Sequence, residues 1–166
     1  MIEITGATGP YAALANGLFD LKEQRKGKPP VFEKRGSEGW WLYYTDTDKW
    51  FVGTTDDKDK RKNWGVLCTA TPIAAGTLPH EAQSGSWEVS NGDNFSSQPA
   101  GAVRGITKEE ADRIAAEAEA AAAAAWDAAA ARGGDAAAAV TIAGATGPRA
   151  HLVNGVFDRV PWKRRA

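Results

Sequence analysis

The chain has 166 residues, 43% hydrophobic and 25% charged, with a formal net charge of −1. That length holds one ordinary domain with residues to spare, and so small a charge gives no global field to recruit nucleic acid or a membrane surface. One cysteine excludes an intramolecular disulfide, and no run approaches the ~20 apolar residues that cross a bilayer.

Taken in chain order, residues 2–5 alternate apolar and polar, which predicts a strand. The turn dipeptide Asn16-Gly17 precedes β-type composition at 18–21. Pro29 and Pro30 lack the N–H a ladder needs, so a strand is expected only after them, at 31–34. Residues 36–39 read as a turn, 40–44 as the strongest strand, and 45–49 as a hairpin loop into a strand at 50–52. A charged loop is expected at 56–62, a strand at 64–69, and a last strand at 86–90 centred on Trp87. No helical pattern separates these strands, so the pairing should be antiparallel.

The next segment differs in kind. Thr107 and Glu110 have capping-box spacing, the Ala runs carry high helix propensity, and Gly133-Gly134 supplies a stop. These signals predict a helix over 108–132. Its only large apolar residues, Ile114 and Trp126, share no stripe, which reads as a spacer rather than a core element.

A 22-residue segment occurs twice. Residues 2–23 and 140–161 are identical at 12 of 22 positions without gaps, among them Gly6, Gly9, Asn16, Gly17, Phe19 and Asp20 of the first copy. Self-similarity at a fixed offset marks repeated supersecondary units. The expected organisation is a complete β repeat at 1–103, an Ala-rich helical spacer at 104–138, and the truncated opening of a second repeat at 139–166. The fold class is therefore mainly β: a small antiparallel sheet domain, one Ala-rich helix and a partial second β repeat.

No catalytic constellation emerges. The turn Thr5-Gly6-Ala7-Thr8-Gly9 looks like a dinucleotide-binding turn, but Pro10 and Asn16-Gly17 leave no room for the helix that such a turn opens. A nucleotide-dependent oxidoreductase ranks a distant third, and no cofactor is expected. His80 and His151 stand alone, and the Asp residues at 46–59 lack calcium-loop spacing, so no metal is expected. No Ser has nucleophile-elbow context. Cys68 reads as a buried inert thiol. Basic clusters at 22–35 and 58–62 read as solvated loops and strand edges rather than a nucleic-acid surface.

The aromatic set Trp40, Trp41, Tyr43, Tyr44, Trp50 and Trp64 is the candidate ligand-binding group. Trp40 and Tyr44 should point to one face of a strand, Trp41 and Tyr43 to the other. If one face covers the core, the other would display rings suited to a sugar or a protein. The alternative is that all of them fill the core. The N-terminus has no signal-peptide pattern, which favours a cytoplasmic chain.

The order Asn-Gly-x-Phe at 16–19, Gly-Lys-Pro-x-Val-Phe at 27–32, Trp-Leu-x-Tyr at 41–44, Trp-x-Val at 50–52 and a late Trp at 87 resembles a β-rich tandem repeat of multi-copy algal, oomycete and marine-invertebrate proteins. The resemblance implies a β architecture and an interaction role. The expected function is a non-enzymatic module for protein interaction, scaffolding or self-association, with carbohydrate binding as the alternative.

Overall fold

The structure is a computed structural model, and it describes residues 1–82, 86–133, 139–144 and 146–158. The chain divides into two compact units, Met1–Arg113 and Ile114–Ala166.

The first unit is built on a nine-stranded antiparallel sheet. In chain order its elements are β1 (Ile2–Thr5), a single helical turn α1 (Ala12–Ala15), β2 (Gly17–Glu23), β3 (Val31–Lys34), β4 (Trp40–Tyr44), β5 (Trp50–Thr54), the short helix α2 (Thr55–Asp59), β6 (Leu67–Thr69), β7 (Trp87–Ser90), β8 (Phe95–Ser97) and β9 (Ala102–Gly105). Strands β1 to β8 form a meander, and β9 returns to pair with the free edge of β1. The strands predicted at 31–34 and 40–44 form with those bounds.

Three expectations are corrected. The segment at 56–62 is not all loop, because Thr54 and Asp57 close a capping box that starts α2. Trp64 lies outside β6. Two further strands, β8 and β9, follow the one expected to be last.

The sheet is curled. Laid flat, nine strands would hold β8 and β9 ~38 Å apart, yet the four residues 98–101 join them, a reach of ~18 Å. Since β1 to β8 alternate and β9 opposes β1, β8 and β9 run in the same direction. A parallel pair needs a much longer crossover, so side chains and turns close the seam instead. The Thr8 amide and hydroxyl donate to Gln98 Oε1 at 3.0 and 2.9 Å. Gly6 has φ +75°, and a Cβ there would lie 2.2 Å from the Ala100 carbonyl oxygen.

Alternation sorts the two faces. Ile2, Ile4, Phe19, Phe32, Leu42, Trp50, Val52, Leu67, Trp87 and Val89 fill the main core, with Trp40 and Tyr44 packed against it. Tyr43, Phe51 and Cys68 form a smaller cluster on the other face, with Trp41 and Phe95 at its rim.

The helix α3 (Lys108–Gly133) follows β9, within a residue of the predicted bounds. The Glu110 amide donates to Thr107 Oγ1 at 3.1 Å, as the capping box requires. The Glu110 carboxylate does not reach back; it accepts from Arg104 at 2.8 Å. Arg35 joins Asp20 at 2.8 Å to Asp112 at 2.9 Å, so the first turn of α3 is tied to the sheet.

Apart from the rest of α3, the second unit contains β10 (Ala139–Ile142), the single turn α4 (Ala150–Val153) and β11 (Gly155–Asp158). β10 and β11 form a separate two-stranded antiparallel sheet.

Candidate functional site

The aromatic residues of β4 and β5 are largely committed to packing. Trp50 is 1% exposed, and its Nε1 donates to the Thr77 carbonyl at 3.1 Å. Tyr44 meets Trp50 edge-on at 5.3 Å, and its hydroxyl donates to the Ile73 carbonyl at 2.6 Å. On the opposite face, the segment 55–64 covers β4. Trp41 Nε1 donates to Thr55 Oγ1 at 3.0 Å, and Lys58 Nζ sits 4.6 Å from the Trp41 ring centre. Tyr43 is 2% exposed, with its hydroxyl 2.8 Å from the Trp64 carbonyl and 3.0 Å from that of Lys62. Burial first, then the Asp57 charge, pushes the Tyr43 phenol well above its usual range. The six residues therefore do not make one platform.

Two depressions are lined by residues of the aromatic set, at opposite ends of β4. A cleft of about 500 Å³ opens between the 24–30 loop and residues 75–78, with Tyr44, Trp50, Pro29, Pro30 and Leu78 in its walls. The Tyr44 hydroxyl and the Trp50 N–H already have partners, so the cleft offers mainly ring edges and aliphatic surface. A shallower depression of about 210 Å³ is lined by Tyr11, Trp40 and Trp64 with Thr54, Asp57 and Ser90. Trp64 is 65% exposed there. Tyr11 was invisible to a strand-based reading because it sits in the connection between β1 and β2.

Two amides of the Gly-rich turn, those of Ala7 and Thr8, are occupied by side chains. Ala7 N–H donates to Asn16 Oδ1 at 3.0 Å, Asn16 Nδ2 returns to the Ala7 carbonyl at 2.8 Å, and the Thr8 amide donates to Gln98. α1 lasts one turn, and β2 then pairs antiparallel to β1. A dinucleotide-binding turn needs a longer helix and a parallel strand. Cys68 is buried, and that burial pushes its thiol up to about 12. Among the described residues, no three His, Cys, Asp or Glu side chains gather where a metal could bind.

The second unit supplies the most informative geometry. In the first unit Ile2 faces Phe19, Glu3 faces Leu18 and Ile4 faces Gly17. In the second, Val140 faces Phe157, Thr141 faces Val156 and Ile142 faces Gly155. Every partner is displaced by the same offset as the sequence repeat. The turns match as well: the Ala12 amide bonds to the Gly9 carbonyl at 3.1 Å, and the Ala150 amide to that of Gly147 at 3.1 Å. Environment is what separates them. Phe19 is 0% and Ile4 1% exposed, whereas Phe157 is 48% and Ile142 39% exposed. Leu152, Val153 and Val156 are exposed too.

Comparison with protein-family models, with curated proteins and with solved structures gave no match.

Proposed function

We propose that the chain is a non-enzymatic repeat module for protein interaction or scaffolding. One observation carries this reading: the same hairpin occurs twice in one register, seated in a sheet in the first unit and open on its apolar face in the second. Exposed apolar side chains grouped on one small element mark an association surface. Several charged groups of the first unit are engaged in structural pairs, which supports a non-catalytic reading: Arg104 pairs with Glu3 and Glu110, Arg35 with Asp20 and Asp112, and Lys34 with backbone carbonyls. The test compares the full chain with a variant carrying Leu152→Ser, Val156→Ser and Phe157→Ser. The parent should bind an apolar-surface dye and self-associate or capture protein, and the variant should lose most of both. A parent chain that binds no dye and stays monomeric at high concentration sinks the reading.

A second reading, carbohydrate binding, draws on the exposed Trp64 beside Tyr11 and Trp40. Indole faces at a shallow depression suit stacking on a sugar ring. A glycan array would find a ligand, and Trp64→Ala should weaken it at least tenfold, or ~1.4 kcal/mol. An array with no hits, or a hit indifferent to Trp64, removes this alternative.

A further inference from the structure

Building on the interaction reading, we infer that the partner of the 139–158 hairpin is the curled sheet of a second copy of this chain, which it enters in the place of that copy's own β1–β2 hairpin. The seat is already defined in the first unit. β1–β2 lies between β3 and β9, its edge strands pairing Phe19 with Lys34 and Ile2 with Gly105. Several of the groups that hold it there recur at the matching positions. Thr8 meets Gln98, and Thr146 matches Thr8. Asp20 pairs with Arg35, and Asp158 matches Asp20. Gly6 must lack a Cβ beside Ala100, and Gly144 matches Gly6 with φ +84°. Lys34 donates to the carbonyls of Ala13 and Leu14; this contact is to backbone, so the single turn α4 offers it equally.

The seat cannot be the chain's own while α3 is intact. Ile106 N–H donates to the Met1 carbonyl at 3.1 Å, so the matching residue, Ala139, would have to lie beside Ile106, two residues before α3 begins. α3 has 26 residues and holds its ends ~39 Å apart. From Gly133 to Ala139 is six residue steps, a reach of ~22 Å at most. The shortfall leaves another copy as the source of the seat.

Each copy then has one seat and two hairpins, and a displaced β1–β2 is free to occupy a third copy. Such a head-to-tail contact builds an open chain, or a ring where its rotation closes. Two replacements favour the resident hairpin. Val153 stands where Ala15 is fully buried, and Thr141 where Glu3 pairs with Arg104. Occupancy by the second hairpin therefore rises with concentration.

Cross-linking reads the exchange directly. Asp20 faces Glu33 across β2 and β3, so a seated second hairpin brings Asp158 opposite Glu33 of the other copy. The full chain carrying Glu33→Cys and Asp158→Cys should give, under mild oxidation, a ladder of disulfide-linked dimers and higher species that grows with concentration. Cys68, buried and protonated, supplies little background. Adding Phe19→Ala, which weakens the resident hairpin, should raise the linked fraction by about a hundredfold at limiting concentration. Adding Phe157→Ala instead should abolish it. Absence of the ladder with and without Phe19→Ala overturns the exchange, as does a link within one chain or a ladder indifferent to Phe157. The interaction reading survives those failures if the apolar-dye signal of the parent persists.

Discussion

Trp50 and Trp64 carry the same indole and opposite consequences. Trp50 is enclosed by Phe32, Tyr44 and the Thr77 carbonyl, so Trp50→Ala leaves a cavity and a carbonyl without its donor. The expected loss is ~3–5 kcal/mol, read from urea denaturation of the full chain. Trp64 is mostly in water, and Trp64→Ala should stay within ~0.5 kcal/mol. Tyr43 adds a pH signature. Its phenol is held above the usual range, so the folded state favours the protonated form. That contribution is complete below the unfolded pKa of ~10 and is lost as pH rises toward the folded value. Tyr43→Phe should cost ~1–3 kcal/mol at neutral pH, because the Lys62 and Trp64 carbonyls lose a buried donor. The same change should flatten the decline in stability above about pH 10. A variant with the parent's alkaline slope would mean that Tyr43 ionises as freely folded as unfolded.

Among elements, the two Gly-rich turns make a matched pair. Gly6 has positive φ and abuts the Ala100 carbonyl across the seam; Gly144 has positive φ and open space around it. Gly6→Ala combines backbone strain with a displaced seam and should lower the stability of the first unit by at least ~2 kcal/mol. Gly144→Ala carries only the local strain and should leave that unit's unfolding midpoint unchanged. The pair also shows what a sequence can reveal. Gly6 and Gly144 were legible as turn residues, and the matching copies were legible as copies. What a seam does to one of them was not, because Ala100 lies far away along the chain. Strands β2 to β5 were legible because alternation and turn residues bound them. β8 and β9 were not: Phe95-Ser-Ser and Ala-Val-Arg-Gly are poor strand formers, and they pair because curling presents them with free edges. α2 is five mostly charged residues whose one signal was the Thr54-to-Asp57 spacing. For the aromatic set, alternation assigned Trp40 and Trp41 to opposite faces correctly. It could not show that residues 55–64 fold over the outer face and cover Tyr43.

For the whole molecule, one sequence pattern stands in two environments, which isolates what tertiary packing contributes. A two-stranded hairpin alone is marginally stable in water. The copy at β1–β2 is flanked by β3 and β9 and covers the main core, whereas β10–β11 has no third strand among the described residues. Strand register and turn geometry are the same in both, so the largest difference between them is the surface each hairpin is packed against. Hydrogen exchange followed by mass spectrometry on the dilute full chain should therefore separate the two copies. Amides of β1 and β2 should exchange only through global opening of the first unit, while those of β10 and β11 should exchange through local opening, orders of magnitude faster. Raising the concentration should slow exchange at β10 and β11. It should also quicken exchange at β1 and β2, since each incoming hairpin displaces a resident one. Simple aggregation through exposed apolar side chains would protect β10–β11 and leave β1–β2 unchanged. Equal protection of both copies at high dilution would require a third strand from the same chain, and 22 Å of linker against 39 Å of helix forbids that at the seat beside β9 unless α3 breaks.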